Sequence, residues 1–263
     1  MDLRLSGQKA FISGSTQGIG YASAAALAAE GAEVTLNGRR PDRVDAAVSR
    51  LRGEQPGARV AGIAADFSHA GDVARLVDAL DEVDILVNNV GLFGLAEFAS
   101  IDDDDWARYF EVNVMSGVRL SRAVLAGMLA RGAGRIIFIS SESGVDVPAD
   151  MVHYGVTKAA VIALANGLAK LSRGTAVTVN TVLGGPTFSE GVAASVAAVA
   201  DAQSLPAEVM KQAIIGRNST TLLERFIDPS EIASLVAYLA SPLSSATNGA
   251  ALRADGGVLT AML

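Results

Sequence analysis

The chain has 263 residues, half of them hydrophobic and 19% charged, with a formal net charge of −7 and no cysteine. This composition excludes intrinsic disorder, disulfides and thiolate metal sites, and acidity without a Lys/Arg cluster opposes nucleic-acid binding. No apolar run reaches the roughly 18 residues of a membrane span, and the start MDLRLSGQKAF has no secretory h-region, so we expect a cytoplasmic protein forming one domain over residues 1–263.

In chain order, the β-type runs KAFIS, EVTLN, ARVAGI, VDILVN, GRIIFIS and AVTVNTV alternate with Ala- and Leu-rich helical stretches. That rhythm predicts an α/β fold, a Rossmann-type doubly wound parallel sheet with helices on both faces. KAFIS runs into Gly14-Ser15-Thr16-Gln17-Gly18-Ile19-Gly20 and then a helix. Glycines there let backbone N–H groups approach a pyrophosphate at a helix N-terminus, although a plain glycine turn would read the same. No Gly-Lys-Ser/Thr follows, which disfavours a nucleoside triphosphatase. Asp102 to Asp105 fit the first turn of a helix, where acids complement the dipole, better than a cation site. His69 and His153 are the only histidines, so no metal is predicted. Glu142 and Asp146 would be placed to touch a polar substrate, although a solvated turn explains them more readily. Tyr154 and Lys158 are one helical turn apart and share a face. Residues 188 to about 225 break the rhythm at the end of a strand, which marks a candidate substrate lid.

Taken together, Gly14, Gly18 and Gly20, then Asn88-Asn89-Val90-Gly91, then Asn113, Ser141, Tyr154 and Lys158 resemble the short-chain dehydrogenase/reductase family, from about Lys9 to Gly257. Ser141 lies 13 residues before Tyr154, the family's usual interval. Val90 replaces the usual alanine and Gly184 the usual proline. The resemblance implies an NAD(P)(H)-dependent oxidoreductase interconverting a ketone and a secondary alcohol, with a small-molecule carbonyl or alcohol substrate. It makes Tyr154 the general acid/base, Lys158 the group that lowers its pKa and holds the nicotinamide ribose, Ser141 the donor to the substrate oxygen, and Asn113 the holder of a relay water. Gly155, Val156 and Thr157 would leave room for the cofactor. Cofactor contacts are expected from Gly14, Ser15, Thr16, Gln17, Gly18, Ile19, Gly20, Arg39, Asp66, Phe67, Asn89, Gly91, Tyr154, Lys158, Gly185 and Thr187. The position at which NAD-selective members carry an acid is Gly38, with Arg39 next, so NADP(H) is expected in preference to NAD(H), although Gln17 stands where many NADP-dependent members have a second basic residue. A catalytically silent nucleotide sensor or scaffold is the alternative from another class, and a sugar epimerase or dehydratase of the longer branch the alternative among enzymes. The helix AAVIALANGLAKL after Lys158 is apolar or small on every face, and the chain ends in the apolar segment 258–263, so a homotetramer is expected, with a dimer as the fallback.

Overall fold

The computed structural model describes residues 1–80, 82–218 and 220–262. Seven strands, β1 (Lys9–Ile12), β2 (Glu33–Gly38), β3 (Val60–Ala64), β4 (Ile85–Asn88), β5 (Ala133–Ser141), β6 (Ala176–Gly184) and β7 (Ala251–Ala254), form one sheet in the order β3-β2-β1-β4-β5-β6-β7. Every pairing is parallel. β5 and β6 are buried at every position but the first, as their continuous apolar runs predict for strands covered on both faces.

The crossover helices supply that cover. On one face, α1 (Gly18–Ala29), α2 (Pro41–Glu54) and α9 (Pro229–Ala240) press Leu27, Leu51 and Val236 into a core. On the other, α3 (Ala70–Ala79), α5 (Ser116–Arg131) and α6 (Val152–Leu171) contribute Leu76, Leu120 and Val161. The strand order reverses between β1 and β4, and the crevice beyond their carboxyl ends is where such sheets hold ligands. α4 (Asp103–Phe110) opens with Asp102 accepting from the Asp105 N–H at 2.8 Å, the cap expected of that acidic run. Between α4 and α5 the helix widens into a π turn, Glu111–Met115.

β7 went unforeseen among the six strands legible in the sequence. Its four residues, ALRA, are too few for a period, and its strand form comes from pairing with Thr181 to Gly184 of β6. The excursion after β6 holds α7 (Glu190–Ala202) and α8 (Ala207–Gly216), which share a small core of Val196, Ala200 and Met210. Chain exit and return are adjacent, joined by a parallel bridge of Thr187 with Ile227. Ser219 of this excursion and Leu263 of the apolar C-terminal segment lie outside the described residues. Within that C-terminal segment, Leu259 is buried in its own subunit, its N–H donating to the Asp255 carboxylate at 3.0 Å, while Met262 is 96% exposed. Among the described residues, no helix is long and apolar enough to cross a membrane.

Candidate active site

β1 delivers the glycine loop to the crevice. Gly14 and Gly18 adopt φ of +60° and +58°, a region that glycine tolerates without strain. A Cβ at Gly20 would lie 2.5 Å from the Gly14 carbonyl oxygen, so the loop can fold this tightly onto the start of α1 only with glycine there. Side chains from both neighbouring strands stitch it down. Asn37 of β2 accepts the Gly14 N–H at 3.1 Å and donates to the Ile63 carbonyl at 3.0 Å. Asn89, just past β4, donates to the carbonyls of Ser13 at 3.0 Å and Gly14 at 2.8 Å.

The loop walls a cavity of about 430 Å³, lined also by Arg39, Asp66, Phe67, Asn89 and Gly91 as well as Thr16, Gln17 and Ile19. Thus most of the expected cofactor contacts come together. Ser15 departs from that expectation: its hydroxyl turns inward to the Ile12 carbonyl at 2.7 Å and accepts the Asn37 N–H at 2.9 Å. Gly20 serves packing rather than lining. Gly185 and Thr187 stand apart at the exit of β6, Thr187 Oγ1 donating to the Gly185 carbonyl at 2.8 Å. A Cβ at Gly185 would meet the Asp255 carbonyl at 2.5 Å, which explains glycine there. Gly184, in place of proline, is held by strand pairing to Ser141 and Ala254 on its two sides.

Charge at the rim is divided between two arginines. Arg40 is committed to Asp42 through two hydrogen bonds of 3.0 and 2.7 Å. Arg39 lines the cavity near Asp66. Burial pushes the Asp66 carboxyl up, but hydrogen bonds from Ser68 and the positive charges of Arg39 and His69 outweigh it and hold the group below its ordinary value. The glycine cradle, the helix N-terminus and this cation fit a dinucleotide with its phosphates on the loop.

Sequence reasoning missed a carboxylate there. Glu190, the first residue of α7, accepts the Gly18 N–H at 2.8 Å and lies 3.6 Å from Arg50. Neighbouring Ser189 lines the cavity and caps α7 by accepting the Val192 N–H at 3.3 Å. The Ser-Glu pair after β6 is a helix-start signal, but nothing local says that the helix begins against α1. Asn37 was missed too; a buried polar residue near the end of an apolar strand was its only signal.

The catalytic end lies past β4 and β5. Ser141 ends β5, and Tyr154 reaches its hydroxyl from α6, which also carries Lys158 one turn on. Lys158 is 6% exposed, with Nζ donating to the Ile139 carbonyl at 3.0 Å and lying 5.6 Å from the centre of the Tyr154 ring. Burial pushes its pKa down to about 8, with the charge of Glu142 pulling the other way. Tyr154 moves opposite to the sequence expectation. Burial raises its phenol above the ordinary value of 10.0, the charges of Glu142 and Tyr109 raise it further, and the Ser141 hydroxyl opposes them; Lys158 rests on Ile139 instead.

Asn113 sits in the π turn, where Oδ1 accepts the Leu92 N–H at 2.6 Å and Nδ2 donates to the Leu92 carbonyl and Thr157 Oγ1, both at 3.0 Å. It braces the strand exit against α6. Residues 155 to 157 do not open space for a cofactor. A Cβ at Gly155 would strike Val147 at 2.6 Å and the Ser143 carbonyl at 2.7 Å, Val156 faces outward, and Thr157 is buried on Asn113. Glu142 is no solvated turn residue either. It is partly buried and accepts the Ser141 hydroxyl at 2.5 Å.

The profile of the short chain dehydrogenases matches residues 8–199, most of the chain. The chain belongs to that family. It is similar to the Bacillus subtilis oxidoreductase YvaG, 44% identical with 98% of each chain covered. Among solved structures, L-sorbose reductase from Gluconobacter frateurii, in complex with NADPH and L-sorbose, superposes with a TM-score of 0.93 at 31% identity over 100% of both chains. The actinorhodin polyketide ketoreductase with NADPH gives a TM-score of 0.87 at 30% identity, covering 96% of this chain and 97% of its own. As a short-chain dehydrogenase, the protein is an NAD(P)(H)-dependent oxidoreductase of the ketone and secondary-alcohol class.

Proposed function

We propose that the protein reduces a ketone, and oxidises the corresponding alcohol, with NADP(H) in preference to NAD(H), using Tyr154 as its proton carrier. The observation that carries this reading is convergence: Tyr154 lies within hydrogen-bonding reach of Ser141, with its ring centre 5.6 Å from Lys158 Nζ, and Lys158 in turn adjoins Gly91, which also lines the glycine-loop cavity. The nicotinamide supplies or takes the hydride. In reduction Tyr154 gives its phenolic proton to the substrate oxygen, Ser141 donates a hydrogen bond to that oxygen, and Lys158 holds positive charge beneath both. A Cβ at Gly91 would lie 3.4 Å from Lys158 Nζ and 3.6 Å from Asn113 Oδ1, so glycine there keeps the space beside these two polar groups clear, as the proton relay needs. NADPH in two structural neighbours and the guanidinium of Arg39 on the cavity, next to Gly38 where an acid would select NAD, support the cofactor choice. Residues 188 to about 225 act as a lid, starting at Ser189 and Glu190 on the cavity rim. The alternative of a silent sensor finds no feature in its favour.

The test is an assay of wild type and Tyr154→Phe against a ketone panel of L-sorbose, acetoacetate and a 3-oxoacyl thioester, with NADPH and with NADH. Loss of an acid/base group costs about 10²- to 10⁴-fold, so the Phe variant should fall by that much while binding NADPH as wild type does. A Phe variant holding more than about a tenth of the wild-type rate would give the proton step to another residue.

A further inference from the structure

Glu142 lies in the short turn Glu142–Gly144, directly after Ser141. Its carboxylate folds back onto the site: Ser141 Oγ donates to Oε2 at 2.5 Å, and Ser143 Oγ approaches Oε1 at 3.4 Å. The serine oxygen also accepts the Ser143 N–H at 3.1 Å. From α6, Tyr154 and Lys158 both feel the Glu142 charge, which raises the pKa of each, while His153 packs against the Tyr109 and Trp106 rings of α4. The adjoining end of β6, Thr181 to Gly184, carries no titratable group. Asp146 of the same turn is exposed.

A serine hydroxyl has one proton. While Glu142 is ionised, that proton is held in a charge-assisted bond to a carboxylate, which outcompetes a neutral carbonyl oxygen. Ser141 then has no proton for a ketone. When Glu142 is protonated the direction reverses: the carboxyl O–H donates to Ser141 Oγ, and the serine proton turns to the substrate oxygen alongside that of Tyr154.

We propose that Glu142 is a positioning residue that directs the Ser141 proton, its neutral form supporting ketone reduction and its carboxylate withdrawing the serine from the substrate oxygen. The proposal rests on the reading of Ser141 as donor to that oxygen. The transferred proton still comes from Tyr154, and the proton on Glu142 stays in place through turnover. Burial raises the Glu142 carboxyl above its ordinary 4.5, with hydrogen bonds from Ser141 and Ser143 partly opposing, so its titration falls at higher pH than that of an exposed glutamate.

The test is the pH profile of kcat/KM for reduction, with NADPH and whichever panel ketone the wild type reduces fastest, for wild type, Glu142→Gln, Glu142→Ala and Tyr154→Phe. Wild type should lose about tenfold or more as pH rises through the Glu142 titration, a fraction of the 10²- to 10³-fold that a lost oxyanion donor costs. Glu142→Gln, whose amide N–H₂ mimics the protonated carboxyl, should be flat over that interval and stay within about threefold of the wild-type acid plateau. Glu142→Ala, which frees the serine altogether, should be flat as well. A Gln or Ala variant that keeps the wild-type limb overturns the proposal, as does a Gln variant inactive at every pH while binding NADPH normally. Tyr154→Phe separates the failures: an active Phe variant fells the acid/base reading while the Gln and Ala profiles still decide this proposal, whereas an inactive one beside a pH-sensitive Gln variant fells this proposal alone.

Discussion

Arg39 and Arg40 are adjacent in sequence, yet only Arg39 faces the nucleotide cavity, because Arg40 is paired with Asp42 at the start of α2. Cofactor choice should therefore turn on one side chain. Charged hydrogen bonds are worth about 1.5–3 kcal/mol, so Arg39→Asp should shift the ratio of NADP(H) to NAD(H) dissociation constants by roughly tenfold to a hundredfold toward NAD(H). Parallel equilibrium titrations of the two reduced cofactors read this directly, and an unchanged ratio would remove Arg39 from the site. An acid at Gly38 is a poorer switch, since its Cβ would lie 2.5 Å from Thr16 Cγ2. Single residues were legible where chemistry or backbone demands one type: the glycines, Asn89, and the Tyr154 and Lys158 pair on one helical turn. Asn37, Glu142 and Glu190 were not, because their partners are set by tertiary contact and a polar residue at a turn looks the same whether it meets water or a buried serine.

Elements were legible by their periods. Six strands announced themselves as apolar runs, and the acidic run at Asp102 to Asp105 marked the start of α4. β7 escaped because it is a strand only through its neighbour. The docking of α7 against α1 escaped as well, and it bears on binding. The Glu190 carboxylate takes the Gly18 N–H at the positive end of α1, where a cofactor pyrophosphate would also seek its donors. On the proposed placement of the pyrophosphate the two anions compete for that donor, and Glu190 is expected to release it as the cofactor enters. Glu190→Gln should consequently tighten NADPH binding by about two- to tenfold, the range expected for one charge near a helix terminus. Fluorescence titration of NADPH measures it; weaker binding by the Gln variant would mean that Glu190 assists the cofactor instead of competing with it.

On the scale of the whole molecule, apolar surface points to association. Phe93, Leu95 and Phe98 are 57%, 74% and 61% exposed, and α6 carries the exposed Val156, Ala163 and Gly167 on its outward side. The C-terminal half of the sequence argument is weaker than expected, since Leu259 is already buried within its own subunit. Assembly is better tested on α6. A Cβ at Gly167 meets nothing within 4 Å, and glycine is a poor helix former, so Gly167→Glu should leave the subunit's melting unharmed while placing a charge in any α6 contact. Light scattering should find a homotetramer for wild type and a smaller species for the variant; a wild-type mass near 26.9 kDa would count against assembly altogether.

The small core of Val196, Ala200 and Met210 shares no residue with the two cores that flank the sheet. Sequence change there can alter the packing of α7 on α8 without touching the two cores that hold the strands. With the proposed lid built on this separate core, descent can redraw it while inheriting the sheet and its glycine loop, at little risk to folding.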